Sequence, residues 1–180
     1  MGSFVAKIGI FGGTFNPIHN GHLTVGRDVR RGFSLDKIWL IPAAVPPHKE
    51  SKNVAKAEHR LEMTRIAVED DPDFSVSDVE LKRSGPSYTI DTIGYFESVL
   101  PNDAQLFFIV GMDAFLDIET WKSYKDLFQV VPFIVMSRPG ATACSDGNKW
   151  KLPCDLLSSR VSPRYWFDKN ENAFFHPEKK

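Results

Sequence analysis

Residues 5–22 have the sequence VAKIGIFGGTFNPIHNGH, and they contain the most informative pattern of the chain. The first part of this stretch, Val5–Phe11, is a mostly apolar run of the length typical of a buried strand, and it leads directly into Gly12-Gly13. Glycines at that point allow a tight turn and a close approach of backbone N–H groups to a phosphate. A helix is predicted from Gly21 to about Arg31, so the partial positive charge at its N-terminus would point into the same space.

Two histidines stand in this stretch, His19 on the predicted loop and His22 in the first turn of the predicted helix. Both imidazoles can donate hydrogen bonds to non-bridging phosphate oxygens, so neither needs to act as a nucleophile. Transfer of a phosphoryl or nucleotidyl group between two oxygens depends on charge stabilisation and alignment more than on covalent help. A histidine pair inside a glycine-rich strand-to-helix turn therefore predicts a phosphate site.

The rest of the chain alternates predicted strands with predicted helices. The further strands are Lys37–Pro42, Phe74–Leu81, Leu106–Gly111 and Phe133–Ser137, and the further helices are Ala57–Asp70 and Thr89–Leu100. This alternation predicts an α/β fold with a doubly wound, mostly parallel sheet, in which ligands bind beyond the carboxyl ends of the strands. Because the glycine-rich turn, the Pro46–Lys49 loop, Gly111–Asp113 and Arg138 all follow predicted strands, we expect them at one edge of the sheet.

Length and composition indicate an ordinary globular protein. The 180 residues are predicted to form one domain, 1–180, with an irregular tail at 141–180. A net charge of −1 without a block of like charges does not indicate a nucleic-acid partner. No apolar run approaches the ~20 residues that span a bilayer, and the N-terminus lacks a secretory-signal pattern, so no membrane partner is expected. Cys144 and Cys154 follow no metal-ligand pattern, which favours a reducing compartment such as the cytoplasm.

Residues 12–22 resemble the nucleotide-binding motif of the nicotinate-mononucleotide adenylyltransferases, a family of the nucleotidyltransferase superfamily marked by histidine, any residue, glycine, histidine. Further segments resemble the same family in the same order, namely Pro46–Lys49, Ser87–Thr92, Gly111–Asp113 with Trp121, and Ser137–Gly140. The resemblance extends to about residue 140 and implies a Rossmann-like nucleotidyltransferase fold.

The resemblance implies that ATP and nicotinate mononucleotide are the substrates. The mononucleotide phosphate would attack the α-phosphorus of ATP in line, and pyrophosphate would leave, giving deamido-NAD in NAD biosynthesis. The resemblance also implies Mg²⁺ carried by the ATP phosphates rather than by metal ligands of the protein, as this ion usually binds.

The family motifs also imply roles for individual residues. The implied catalytic residues, which meet phosphate, are His19, His22 and Lys49. The implied ATP-binding residues are Gly12, Gly13, Thr14, Phe15, Gly21, His22, Gly111, Asp113 and Arg138, the last with a structural role at a strand end left open. The implied substrate-binding residues are Asn16, Lys49, Thr89 and Trp121. The flat indole of Trp121 can stack on an electron-poor pyridine ring, and backbone N–H groups near Thr89 and Trp121 would meet the nicotinate carboxylate.

The tail departs from the family pattern. The resemblance leads us to expect a second phosphate motif, Ile-Ser-Ser-Thr at the start of a C-terminal helix. The nearest stretch is Leu157–Arg164, in which only Ser158 and Ser159 match. Two interpretations stay open: a divergent motif in which Arg160 or Arg164 supplies the charge, or a chain that ends before the motif.

Other functions of the same site also stay open. They are adenylylation of the amide mononucleotide, transfer to another small phosphate acceptor such as phosphopantetheine or glycerol phosphate, and a non-catalytic nucleotide-binding module. The pair of His19 and His22 disfavours the module, and Ser87–Thr89 with Trp121 disfavours the non-pyridine acceptors. The sequence does not decide the oligomeric state, a homo-oligomer included.

Overall fold

A computed structural model describes residues 5–45, 54–136, 166–168 and 173–175 of the chain. Its centre is a five-stranded sheet whose strands are β1 (Lys7–Gly13), β2 (Lys37–Pro42), β3 (Phe74–Val76), β4 (Gln105–Gly111) and β5 (Phe133–Met136). The strands lie in the order β3-β2-β1-β4-β5, and every neighbouring pair is parallel. This sheet confirms the predicted α/β class.

Helices connect consecutive strands, as parallel pairing requires. They are α1 (Asn20–Gly32), α2 (Ala57–Ala67) and α3 (Thr89–Val99), followed between β4 and β5 by α4 (Met112–Leu116), a 3-10 turn at Ile118–Thr120 and α5 (Tyr124–Val130). The sequence interpretation assigned no element between β4 and β5. Each of these three elements is too short to display a helical period in the sequence.

The central strands send alternate residues to opposite faces of the sheet, and each face carries an apolar cluster. On β4, Phe108 and Val110 belong to one cluster, whereas Phe107 and Ile109 belong to the other. The first cluster includes residues of α3 and α5, and the second includes residues of α1 with α2 packed against it. Helices therefore cover both faces, so the sheet is doubly wound.

The strand order reverses between β1 and β4, and this reversal places the crevice. The two strands pair in register from Lys7 with Gln105 to Phe11 with Ile109. Two residues later they end at Gly13 and Gly111. In open α/β sheets the chain departs in opposite directions at such a point, which leaves a ligand-sized crevice beyond the carboxyl ends of the strands.

The predicted strand Phe74–Leu81 is too long, because β3 ends at Val76. Its partner β2 ends at Pro42, and a proline has no N–H with which to continue the ladder. The last link is the N–H of Ser77, which donates to the carbonyl of Leu40 at 3.0 Å.

The tail was predicted to be irregular, and within it the structure describes two short strands. β6 (Trp166–Asp168) pairs antiparallel with β7 (Ala173–Phe175). Aromatic residues on both sides of the polar stretch 169–172 are a hairpin signal in the sequence. The single domain 1–180 stays a prediction. Within the described ranges, no helix is long and apolar enough to cross a bilayer.

Candidate active site

The turn after β1 is shaped by the ring of Phe15. This residue has a left-handed φ of 43° and a side chain that is only 3% exposed. Its ring packs edge-on against Phe11 at 5.6 Å and His22 at 5.2 Å, between ring centroids. A Cβ on Gly13 would lie 2.9 Å from the same ring. Glycine is therefore required at position 13 by the packing of Phe15, and Phe15 can offer a nucleotide only its backbone.

The remaining predicted residues of the turn surround this ring. Gly12 lies in β1 beside Phe108, where an added Cβ would make an ordinary contact at 3.5 Å. The carbonyl of Thr14 accepts a hydrogen bond from the buried Arg60 of α2. Gly21 is exposed in the first turn of α1, and a Cβ there would lie 3.1 Å from the His19 ring. The structure thus brings the whole predicted motif to the end of β1.

His19 and His22 form a stacked pair at the start of α1. His19 is the N-cap residue, with extended backbone, and the two ring centroids are 3.8 Å apart at 26°. The backbone N–H of His19 donates to Nδ1 of His22 at 3.3 Å. Because Nδ1 accepts, a neutral His22 ring carries its proton on Nε2. The Nε2–H group is then a donor suited to a phosphate oxygen.

The helix behind this pair adds to the attraction for an anion. α1 has 13 residues with no acidic residue in its first turn and with Arg30 and Arg31 in its last turn. The partial positive charge of its N-terminus is therefore not compensated by acidic side chains of that turn. A phosphate placed there would meet the positive end of the helix dipole, the expected arrangement for an anion site.

Asn16 was predicted to bind substrate, and the structure gives its side-chain oxygen another contact. Oδ1 of Asn16 accepts a hydrogen bond from the N–H of Ala55 at 2.9 Å, which ties the turn to the entry of α2. The predicted substrate contact stays a prediction.

A buried arginine that the sequence interpretation did not single out supports the same turn. Arg60 in α2 is only 1% exposed and donates to backbone carbonyls on three segments. The sequence signal was its position beside Leu61 and one turn before Thr64, both buried, since a charged residue on the inward face of a helix needs partners.

The end of β4 forms the other wall of the crevice. Asp113 is exposed in the short α4, which starts directly after Gly111. The Oδ1 atom of Asp113 lies only 2.6 Å from the place that a Cβ of Gly111 would occupy, so the carboxylate covers this glycine. Both residues, predicted to hold the adenosine portion, stand at the switch point next to β1.

The predicted pyridine-side residues lie on two segments joined by an ion pair. Thr89 is the first residue of α3, and Trp121 follows the 3-10 turn, half-buried with its ring 6.0 Å from that of Phe108. Between these segments, Nζ of Lys122 contacts the Asp91 carboxylate at 3.0 Å and lies 4.8 Å from the centre of the Tyr88 ring. The ion pair therefore links the Trp121 segment to the N-terminal turn of α3.

The same helix end is also tied to the segment after β2. The hydroxyl of Ser87 accepts hydrogen bonds from the N–H groups of Ala44 at 2.9 Å and Val45 at 3.3 Å. The N–H of Ser87 donates to the carbonyl of Val45 at 3.1 Å. These contacts fix the first residues of the loop that leads towards Lys49.

Some predicted residues lie outside the described parts of the chain. They are Lys49, Arg138 and the Leu157–Arg164 stretch. Among the described residues, no three His, Cys, Asp or Glu side chains come together in a way that could hold a metal ion.

Comparison with known proteins identifies the family. Residues 10–178 match the family model described as cytidylyltransferase-like. The chain is 48% identical over 170 residues to a probable nicotinate-nucleotide adenylyltransferase of Geobacter sp. (strain M21), which covers 94% of this chain and 75% of that protein. It is 44% identical over 134 residues to the nicotinate-nucleotide adenylyltransferase of Bacillus subtilis (strain 168), and this match covers 74% of this chain and 70% of that protein.

A solved structure shares the fold. The Plasmodium falciparum nicotinic acid mononucleotide adenylyltransferase complexed with NaAD superimposes with a TM-score of 0.65 at 24% identity, over 75% of this chain and 66% of that one. Against four other curated relatives, the chain spans 60% to 64% of their length. By sequence and by fold, the chain belongs to the cytidylyltransferase-like family and, within it, to the nicotinate-nucleotide adenylyltransferases.

Proposed function

We propose that the protein transfers the adenylyl group of ATP to nicotinate mononucleotide, giving deamido-NAD and pyrophosphate in NAD biosynthesis. The observation that carries this proposal is the stacked pair of His19 and His22 at the uncompensated N-terminus of α1, at the switch point of the sheet. Relatives named for this activity support it. The intact pair also speaks against a module that only binds nucleotides.

In the proposed reaction, a phosphate oxygen of the mononucleotide forms a bond to the α-phosphorus of ATP. The bond from that phosphorus to the bridging oxygen breaks, and the electron pair leaves with pyrophosphate. Negative charge on the phosphate oxygens is met by the N–H groups at the start of α1 and by Nε2–H of His22. His19, Lys49 and Arg138 are proposed as further phosphate contacts.

We propose that Mg²⁺ enters the site as the companion ion of ATP. Nucleotidyltransferases of this type use a divalent metal together with ATP. Mg²⁺ usually keeps several waters and is held by substrate phosphates with few protein ligands. Bound in this way, the ion would neutralise charge on the leaving pyrophosphate.

The acid form of the mononucleotide is the proposed acceptor. The N-terminus of α3 at Thr89 favours a carboxylate over a neutral carboxamide. Asp91 in the first turn of α3 would oppose a second carboxylate, but its charge is engaged by Lys122. Trp121 would stack on the pyridine ring, whose electron-poor face suits an indole.

We propose a cytoplasmic location, supported by the two cysteines that match no disulfide or metal pattern. The proposed partners are small phosphate compounds, not a nucleic acid or a membrane, and the proposal does not depend on whether the protein is a homo-oligomer.

The test is pyrophosphate release from ATP and Mg²⁺ with the acid or the amide mononucleotide as parallel acceptors. We expect release with the acid and much slower release with the amide. Calorimetry with α,β-methylene-ATP, which cannot be cleaved between its α- and β-phosphorus, checks independently that the chain binds the nucleotide. Protein that binds this analogue but releases no pyrophosphate with either acceptor would contradict the proposal.

A further inference from the structure

Arg60 is an unusual residue in this fold because its charge is buried without an ion-pair partner among the described residues. It is 1% exposed. Its side-chain hydrogen bonds go to carbonyl oxygens, at 2.9 Å for Ala55, 2.6 Å for Thr14, 2.6 Å for Ala43 and 3.3 Å for Ala44. Arginine is almost never buried so fully unless its charge and donors are satisfied. Burial lowers the pKa of Arg60, while the charges of Glu58 and Glu80 oppose that shift.

The carbonyls that Arg60 holds belong to the turn after β1, the segment after β2 and the entry of α2. Asn16, whose Oδ1 accepts from the N–H of Ala55, closes the same connection from the turn. One side chain thus fixes three chain segments that meet at the carboxyl edge of the sheet. A planar guanidinium with five N–H donors in a rigid fork is suited to this task, and a lysine could not reproduce its geometry.

The direction of these carbonyls also fixes the direction of the next N–H group. In a trans peptide the C=O and the following N–H point to opposite sides of the chain. Two of the peptides demonstrate this, since the carbonyls of Ala43 and Ala44 face Arg60 while the N–H groups of Ala44 and Val45 face Ser87. By the same geometry, the Thr14 carbonyl that faces Arg60 turns the N–H of Phe15 away from Arg60.

The crevice lies on the other side of β1 from the strands that α2 covers. α2, which carries Arg60, packs against β2 and β3, whereas β4 lies on the other side of β1. An N–H of the turn that points away from Arg60 can therefore face the space between the ends of β1 and β4. Gly13 and Gly111 border that space.

We propose that Arg60 is a positioning residue of the adenylyl-transfer site, holding the Thr14 carbonyl so that the N–H of Phe15 faces the nucleotide phosphates. The inference rests on the proposed function only in taking a phosphate as the ligand of this turn. Arg60 itself does not touch the nucleotide. Its loss would move a donor that does, even in a variant that stays folded.

The first measurement uses the unmodified chain and NMR of backbone amides, with α,β-methylene-ATP as the ligand. We expect the Phe15 amide proton to move downfield when the analogue binds. The Ala44 amide, already bonded to Ser87, is the internal control and should move much less. A Phe15 amide that stays unmoved while amides at the start of α1 respond would overturn the inference and leave the proposed function standing. If no amide of the site responds, the proposed function fails as well.

The second measurement compares Arg60→Lys with Arg65→Lys, a matched change on the same helix at an exposed arginine that pairs with Glu62 and Asp78. At a temperature where both variants are folded, we expect Arg60→Lys to bind the analogue about tenfold more weakly and to lose the Phe15 response. Arg65→Lys should match the unmodified chain in both respects. An Arg60→Lys variant that melts earlier but keeps the affinity and the Phe15 shift would show that Arg60 only stabilises the fold. Arg60→Gln, a neutral and shorter side chain, replaces the lysine variant if that one does not fold.

Discussion

The ring of His22 does two things through its two nitrogens. Nδ1 accepts the N–H of His19 and so secures the first turn of α1, and a neutral ring then carries its proton on Nε2, which makes that nitrogen a donor. The ring is held in this orientation by the stack with His19 and the edges of Phe11 and Phe15. A donor fixed in advance needs no reorganisation when charge develops on a phosphate, which is the source of most electrostatic catalysis.

Replacing His22 by asparagine separates the two nitrogens. The Oδ1 of asparagine can still accept from the His19 N–H, but nothing replaces the Nε2 donor. We expect pyrophosphate release by His22→Asn to fall about 10²–10³-fold, the typical loss on removing one oxyanion donor. His22→Ala should lose as much turnover and should also melt earlier, because its first turn loses the acceptor. Full turnover in the asparagine variant would remove His22 from the chemistry.

Neighbouring glycines in the turn allow a matched test of packing. A Cβ at Gly13 would lie 2.9 Å from the Phe15 ring, whereas one at Gly12 would lie 3.5 Å from Phe108. Since Phe15 is buried and enclosed by aromatic rings, it has little room to move. We expect Gly13→Ala to lower the free energy of unfolding by about 1–3 kcal/mol, as overpacking does, and Gly12→Ala to lower it less. Urea denaturation measures both. Equal decreases in the free energy of unfolding for the two variants would show that the Phe15 ring can move to make room for a Cβ at position 13.

At the scale of elements, the N-terminal turns of α1 and α3 differ in charge. The first turn of α1 has no acidic residue, whereas the first turn of α3 contains Asp91. Lys122 neutralises Asp91 from the Trp121 segment. α1 is thus suited to the phosphates, and α3 becomes suited to a carboxylate only while this ion pair holds.

Breaking that ion pair should weaken the binding of the mononucleotide and leave the binding of ATP unchanged. In Lys122→Ala we expect the KM for nicotinate mononucleotide to rise about two- to fivefold, equivalent to the 0.3–1 kcal/mol of a charge near a helix N-terminus, with the KM for ATP unchanged. Stability should change by less than about 1 kcal/mol, since Lys122 and Asp91 are both largely exposed. Lys82→Ala, which breaks the exposed pair with Asp78 elsewhere, is the control and should leave both KM values unchanged. An equal rise for ATP would contradict the assignment of this helix to the pyridine side.

The elements with enough residues to show a pattern could be predicted from the sequence. β1, β2 and β4 are continuous apolar runs, and α3 begins at the predicted Thr89. The end of β3 could not be predicted from its own residues, because it depends on Pro42 of its partner β2, which has no N–H with which to continue the ladder. α4 and α5 could not be predicted either, since stretches of five and seven residues are helical by tertiary packing more than by their own pattern.

In the candidate site, too, some features could be predicted from the sequence and others could not. The His19–His22 motif is local, so the sequence placed it at the end of β1 correctly. The partners of Arg60 and Asn16 lie up to 46 residues away in the sequence, and no local sequence pattern identifies these partners. Gly13 was assigned to the close approach of a phosphate, and the structure adds a second requirement from Phe15 that depends on a left-handed turn invisible in the sequence.

At the scale of the whole molecule, the crevice lies on the line between two halves of one sheet. The strands β3, β2 and β1 form one half, and β4 and β5 form the other. The two halves meet directly through the pairing of β1 with β4. A nucleotide bound at Gly13 and Gly111 would contact both halves, so it should stabilise the molecule as one unit.

That arrangement predicts how ligands change the melting temperature. With α,β-methylene-ATP at 100 times its Kd, linkage adds about 2.7 kcal/mol, which for a chain of this size corresponds to a rise of about 5–10 °C. At the same concentration adenosine should raise the melting temperature far less, because adenosine has no phosphate to bind the donors at the start of α1 and on His22. AMP should fall between the two. Raising the salt concentration should shrink the gap between ATP analogue and adenosine, since screening weakens the phosphate contacts most. Differential scanning fluorimetry gives the melting temperature with each of the three ligands and its dependence on salt. Equal shifts for adenosine and the analogue would mean that the phosphates bind away from α1.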